Sequence, residues 1–265
     1  MNFYTKCLGL LKSTGILDTD SSILVVAGGP TDRSCLLEVG FNDVVISNLQ
    51  SQESPEHYHP YRWIPIDAEK IALDDNSFDW VIVHAGLHHL SVPAAGVCEM
   101  FRVARKGILC FEARDSWAMR LAKRANLTSD YELEPAFLSG GKSGGFRNGP
   151  IPNYVYRWTE REFEKVVKSY HPAYHVNFRY FYGLQVPVQR FAMGRSRIFK
   201  LAGRLLHWAS NLIAYVLPRQ GNQFAMVAVK TNELQPWLVT SAGNIQFHED
   251  AMAKKYDKKK YVRKQ

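Results

Sequence analysis

Three histidines fall within six residues of one another in the stretch Val83-His84-Ala85-Gly86-Leu87-His88-His89-Leu90. An imidazole titrates near neutrality, so each can take or give a proton during a group transfer, and three together can hold a metal ion. Metal sites also draw on carboxylate or cysteine ligands and supporting acids; the neighbouring sequence offers no obvious set, so no metal is expected. A second group is the acidic pair in Ile66-Asp67-Ala68-Glu69. A third is Val26-Ala27-Gly28-Gly29-Pro30-Thr31-Asp32, where small residues let the backbone approach a ligand closely. The helix that follows offers its N-terminus to a carboxylate or phosphate. Such turns serve nucleotides of many kinds, and they also occur with no ligand at all.

These groups need elements to bring them together, and the chain alternates strands and helices in the order that gives a parallel sheet covered on both faces. Residues 23–27 are a continuous apolar run, the pattern of a fully buried strand, and residues 31–39 follow as a helix. Residues 43–47, 62–66, 80–83 and 107–112 read as the second to fifth strands. Helices fit at 92–103 and 116–125, with a leading helix over 2–14. In such sheets ligands bind beyond the carboxyl ends of the strands, so the loops after strands one, two and four should share a crevice.

After residue 128 the pattern changes. Residues 139–150 hold five glycines and a proline, too permissive a backbone for a regular element, and predict a lid-like loop. Gly141-Lys142-Ser143 has the ending of a phosphate-binding G-x-x-x-x-G-K-[ST] loop, but Ala136 stands at its first glycine and no apolar strand feeds it. Thr159 and Glu162 have capping-box spacing and start a helix to about Ser169. Residues 174–182 and 223–229 read as the last two strands, with an insertion between them.

At 265 residues and 46% hydrophobic composition, the chain can bury one large core. Cys7, Cys35, Cys98 and Cys110 show no C-x-x-C spacing and read as reduced packing residues of a cytosolic protein. Lys6 and Lys12 interrupt the N-terminal apolar residues, which argues against a secretory segment. The uncharged apolar run 205–218 is 14 residues, short of the roughly 18 needed to cross a bilayer, and a soluble, cytoplasmic protein is expected. Of the net charge of +8, +6 lies in the last twelve residues and +2 in residues 1–253. The tail reads as a solvated end, and the nearly neutral body lacks a basic groove, so no nucleic-acid partner is expected.

Residues 78–90, with Ile66-Asp67-Ala68-Glu69 upstream and Glu99-Met100-Phe101-Arg102-Val103-Ala104-Arg105-Lys106-Gly107 downstream, resemble the central block of class I S-adenosylmethionine-dependent methyltransferases. The likeness spans roughly residues 20–115. It extends to the last strand, where residues 222–230 are similar to the final strand of methyltransferases in bacterial surface-polysaccharide pathways. The resemblance implies an α/β, Rossmann-like, doubly wound and mostly parallel seven-stranded sheet. It also implies S-adenosyl-L-methionine as cofactor and methyl transfer to a small-molecule or glycan acceptor, on oxygen.

By the same resemblance, Ala27, Gly28 and Gly29 form the cofactor turn, and Asn48 with Leu49 takes the ribose. Asp67 accepts from the adenine amino group while the Ala68 amide faces the ring. His84 borders the crevice, and His88 and His89 shape its floor, one of them taking the acceptor's proton. The chain departs from the family's pattern: Ala27, Gly29 and Thr31 stand at the three glycine positions, Val25 at an acidic one, and Asn48 replaces the ribose acid. Those departures leave a non-catalytic methyltransferase-fold binding protein as the alternative. An NAD(P)-dependent oxidoreductase is a further one, whose fingerprint would require a third glycine.

The acceptor must be met by residues 129–220. Tyr131, Phe137, Phe146, Arg147, Asn153, Tyr154, Tyr156 and Trp158 interleave aromatic faces with hydrogen-bonding groups, which suits a sugar or planar ring and equally the packing of a lid. Residues 1–230 therefore read as one methyltransferase domain, with a lid or cap over 129–172 and a helical insertion over 186–221 before the last strand. Residues 231–265 form a C-terminal extension with a basic tail. Within the insertion, Ile198, Leu201, Leu205, Trp208, Leu212 and Tyr215 recur at spacings of three and four beside Arg195, Arg197, Lys200 and Arg204. This amphipathic basic helix over 195–217 can dock on the core, on a second copy as a homodimer, or on a membrane surface as a peripheral contact.

Overall fold

The computed structural model describes residues 2–50, 54–185 and 215–253. Seven strands form one sheet: β1 (Ile23–Val26), β2 (Val44–Asn48), β3 (Arg62–Pro65), β4 (Phe78–His84), β5 (Ala104–Ala113), β6 (Tyr174–Gly183) and β7 (Gln223–Leu234). Their order is β3-β2-β1-β4-β5-β7-β6. β1 to β5 pair in parallel, and β7 runs antiparallel to both β5 and β6. The chain winds outward from β1 to β3 and then returns to β4. The reversal therefore lies between β1 and β4, where a crevice opens at the strands' carboxyl ends.

Period-two alternation explains the two layers. Leu24, Val26, Val81 and Val83 share one face with Val97, Met100 and Phe101 of helix α3 (Pro93–Val103), and with Phe163 and Val167 of a later helix, Glu160–Tyr170. Ile23, Val25, Trp80 and Ile82 turn to the other face, against Leu8 and Leu11 of α1 (Phe3–Ser13) and Cys35 and Leu36 of α2 (Pro30–Val39). All four β1 side chains are fully buried, as a central strand with helices on both sides requires.

Local chemistry sets the helix ends. Asn2 Oδ1 accepts the Thr5 amide at 2.8 Å and caps α1. α2 opens on Pro30 and ends at Gly40, whose φ of +86° gives the left-handed turn that terminates the helix. The predicted capping box is present: Glu162 N–H donates to Thr159 Oγ1 at 3.2 Å, and Thr159 N–H to Glu162 Oε2 at 2.9 Å.

Between β5 and the Glu160–Tyr170 helix lie α4 (Trp117–Arg124) and α5 (Glu134–Leu138), which makes the later helix α6. α5 and a hairpin of β8 (Leu238–Ser241) and β9 (Asn244–Phe247) have no counterpart in the sequence expectations. The hairpin lies in the expected C-terminal extension. Of the expected amphipathic helix over 195–217, only residues 215–217 fall within the described residues, and the basic tail falls outside them. Among the described residues, no helix is long and apolar enough to cross a membrane.

Candidate active site

A cavity of about 360 Å³ opens where the first four strands end. Its walls are Ala27 to Pro30 after β1, Asn48 to Gln50 after β2, Ile66 to Ala68 after β3, and Ala85, Gly86, His89 and Leu90 after β4. Tyr58, Pro135 of α5, and Gly144, Arg147 and Asn148 of the glycine-rich loop complete the lining.

Two of these turns hold non-glycine residues in the left-handed region, Ala27 at φ +50° and Ala85 at φ +52°. That conformation costs about 1–2 kcal/mol per residue bearing a Cβ, and such strain concentrates at ligand sites. Both residues directly follow a strand, so the chain swings away and leaves its backbone facing the cavity. Glycine is needed beside them: a Cβ on Gly28 would sit 2.7 Å from Val25 Cγ1, and one on Gly86 would strike the Ala27 side chain.

The expected cofactor residues Ala27, Gly28, Gly29, Asn48, Leu49, Asp67 and Ala68 all line this cavity. Asn48 is already engaged: its Nδ2 donates to the Gly28 carbonyl at 3.2 Å and its Oδ1 accepts the Leu49 amide at 2.7 Å. It ties the β1 and β2 loops together and keeps one carbonyl lone pair for a ligand. Asp67 Oδ1 accepts the Glu69 amide at 3.0 Å, and Oδ2 takes Arg147 Nη2 at 2.7 Å. Burial pushes the Asp67 carboxyl up, but the Arg147 and Glu69 hydrogen bonds outweigh it and hold the group below the ordinary carboxylate range. Arg147 also reaches Glu69 Oε2 at 2.6 Å. The glycine-rich loop is thereby clipped onto the acid expected to read adenine.

His84 departs from expectation. It is the last residue of β4, and alternation sends its side chain to the α1 face, where it stacks on Tyr4 at 4.3 Å and lies 3.9 Å from Asp32. It does not line the cavity.

His88 and His89 follow in a short 3-10 turn, Leu87–His89. His88 is buried behind the cavity wall. Its Nδ1–H donates to Glu112 Oε2 at 2.8 Å, and its Nε2 lies 3.2 Å from Glu132 Oε2. Glu112 Oε1 accepts the Gly86 and Leu87 amides at 2.9 and 2.7 Å, so this carboxylate at the end of β5 fixes the whole turn. Burial alone would lower the His88 pKa; the two glutamates override it and push it up to about 10. His89 lines the cavity, and burial together with the His88 charge holds it below the usual histidine range. Its Nδ1–H donates to the Gly145 carbonyl at 3.1 Å.

The carboxylates missing from the neighbouring sequence are thus supplied by distant segments. Glu112 carries a sequence signal, a charge closing the apolar run 108–111 at a strand end. Glu132 carries none, lying 44 residues from His88 in an irregular stretch. Of the aromatic residues expected to meet the acceptor, Trp158 is core and Tyr156 packs against it, while Tyr131, Phe137, Phe146 and Tyr154 are exposed.

Residues 36–111 match a family model described as a methyltransferase domain. No curated protein matches the chain. Among solved structures, the complex between the Haloferax volcanii Trm112 methyltransferase activator and a methyltransferase aligns over 87% of this chain and 90% of that one, at 11% identity and a TM-score of 0.53. The YcgJ protein from Bacillus subtilis aligns over 85% of this chain and 96% of its own at 15% identity and a TM-score of 0.49. Magnesium protoporphyrin IX methyltransferase from Synechocystis PCC 6803 with bound SAH gives 86%, 82%, 12% and 0.49 on the same measures. With a methyltransferase-domain match that spans β2 to β5 and a seven-stranded sheet whose order reverses at the cavity, the chain has the Rossmann-like fold of class I methyltransferases.

Proposed function

We propose that the chain is an S-adenosylmethionine-dependent methyltransferase that methylates a hydroxyl oxygen of a small-molecule or glycan acceptor, and that the acceptor meets His89. The observation that carries this reading is the position of His89, the side chain shared by the cofactor cavity and the His88–Glu112–Glu132 cluster.

When bound, S-adenosylmethionine supplies a methyl group already activated on a sulfonium. The protein's share is then alignment, exclusion of water and handling of the acceptor's proton. We assign the adenine to Asp67 and Ala68, the ribose to Asn48 and Leu49, and the remaining chain of the cofactor to the Ala27–Gly29 turn; their common cavity supports this. Its backbone-lined walls fit a group that must be gripped along its length.

His89 receives the hydroxyl proton, and His88 is a positioning residue held from behind by Glu112. The glycine-rich loop supplies the cover that keeps water out, with Gly144, Arg147 and Asn148 against the cavity. Tyr131 and Tyr154 pack edge to face at 5.6 Å while each stays about half exposed. Open aromatic faces next to Glu132 suit a sugar ring.

The test is a reaction with methyl-labelled cofactor on fractionated glycans and hydroxyl-bearing small molecules, read by mass spectrometry. We expect a one-methyl gain on oxygen, and a His89→Ala turnover about 10²–10⁴-fold lower. Calorimetry showing no S-adenosylhomocysteine binding would sink the cofactor assignments. Label appearing only on nitrogen or carbon would sink the acceptor chemistry.

A further inference from the structure

His88, His89 and Glu132 converge in a way that the handling of a proton does not explain. His88 Nε2 lies 3.2 Å from Glu132 Oε2, His89 Nε2 lies 3.5 Å from the same oxygen, and the three atoms sit within 4.8 Å of one another. The far side of each ring fixes its tautomer. His88 Nδ1 faces the Glu112 carboxylate at 2.8 Å and His89 Nδ1 the Gly145 carbonyl at 3.1 Å. A carboxylate and a carbonyl only accept, so both Nδ1 atoms carry hydrogen, and each Nε2, in the neutral ring, is left to offer its lone pair to a cation beside the Glu132 oxygen. One added proton relieves only one of the two contacts. A second would place two imidazolium rings 4.5 Å apart. A single cation between the three atoms relieves all of them.

We propose that His88, His89 and Glu132 form a binding site for a divalent zinc-type metal ion, with its remaining coordination position open on the cavity side of His89. Zinc bonds of about 2.0–2.1 Å in tetrahedral array set neighbouring ligand atoms about 3.4 Å apart, which the 3.2 and 3.5 Å separations bracket. An octahedral ion would draw them closer, to about 3 Å. Two histidines and one glutamate are a set used where zinc keeps a position for water or substrate.

The outer shell agrees with the same assignment. Ligating histidines donate their other N–H to a carboxylate or backbone carbonyl, as both do here. Glu112 is itself locked by the Gly86 and Leu87 amides. On the far side, Asn153 donates Nδ2 to Glu132 Oε2 at 3.3 Å, and its Oδ1 is buried without a hydrogen bond. The inference does not rest on the acceptor assignment, since zinc binding is measured with neither cofactor nor acceptor present. Zinc on His89 Nε2 would occupy the lone pair that receives the acceptor's proton, because Nδ1–H is held by Gly145, so the base role belongs to the metal-free protein.

The full-length chain, stripped with chelator, is titrated with Zn²⁺ against a chromophoric chelator and separately with Co²⁺, whose visible absorption is intense only in tetrahedral sites. We expect one equivalent of zinc, tetrahedral cobalt bands, and a zinc-dependent rise in Tm. Glu132→Gln and His89→Ala should weaken zinc by more than about 100-fold. Glu112→Gln, which removes only the partner behind His88, should weaken it about 10- to 100-fold. Glu132 is chosen because its side chain is 33% exposed, so the glutamine folds, and S-adenosylhomocysteine binding by the variant checks this separately. Wild type holding no more zinc than Glu132→Gln, weak octahedral cobalt spectra, or a Tm rise that survives the substitution would each overturn the site.

Discussion

At the scale of single residues, Asp67 has two suitors. The carboxylate assigned to adenine is held by Arg147 at 2.7 Å before any ligand arrives. Removing a charged hydrogen-bond acceptor from a nucleotide site costs about 1.5–3 kcal/mol, so Asp67→Ala should weaken S-adenosylhomocysteine about 10- to 100-fold by calorimetry. The Arg147 side chain is 36% exposed, and an ion pair so placed is worth about 1 kcal/mol or less. Arg147→Ala should therefore tighten the same ligand by up to about fivefold, because the cofactor no longer displaces a partner. Weakening by both substitutions would mean that Arg147 touches the cofactor instead of competing with it. Sequence placed Asp67 at the cavity through the methyltransferase-like pattern after the third strand, and Ala27–Gly29 through small residues in a strand-to-helix turn. It misjudged His84 because the extra residue at the end of β4 turns that side chain to the other face. Glu132 was illegible because its contact with His88 is set by tertiary folding alone.

At the scale of elements, two glycines separate what holds the fold from what covers the site. Gly145 sits in the glycine-rich loop, where an added Cβ would strike the Ile151 backbone, and its carbonyl anchors His89. Gly107 sits in β5, where a Cβ would strike the Ala228 carbonyl and the Trp80 ring. Gly145→Ala should lower turnover and S-adenosylhomocysteine affinity while leaving the Tm nearly unchanged, since the loop lies outside both hydrophobic cores. Gly107→Ala should do the reverse, destabilising by about 1–3 kcal/mol through overpacking while each folded molecule binds with undiminished affinity. Urea unfolding and calorimetry on the two variants decide it. The strands and long helices were readable to within a residue or two in most cases because apolar runs and caps mark them. β4 and β5 grew longer than their apolar cores, since the pairing of Phe78 with Ala104 carries both strands past the charged Asp79 and Arg105. The short helix α5 and the β8–β9 hairpin escaped because neither buries a periodic face: all of β9 and most of β8 are exposed.

At the scale of the whole molecule, the fold was legible because one chemical rule governs its centre: strands covered on both sides need continuous apolar runs, as β1 and residues 80–83 of β4 have. The same burial imposes a pH dependence on the stability of the entire chain through Lys230. Its ammonium lies 4.8 Å above the Phe101 ring and donates to Asn76 Oδ1 at 3.0 Å, with Asp75 and His171 nearby. Burial lowers its pKa from the ordinary 10.5 to about 8, and Asp75 only partly opposes this. Below pH 8 the folded and unfolded chains both carry the proton, and the folded one bears the cost of a half-buried charge. Between about 8 and 10.5 the unfolded chain keeps a proton that the folded chain has released, so stability contributed by this group rises with pH across that window. Lys230→Met keeps the stem and removes the charge. Its advantage in Tm over wild type should be largest at pH 7 and shrink as pH climbs through the window. Comparing the two proteins cancels the titration of every other group they share. A Tm difference that stays flat from pH 7 to 10 would show that water reaches this ammonium freely and that β7 does not bury it.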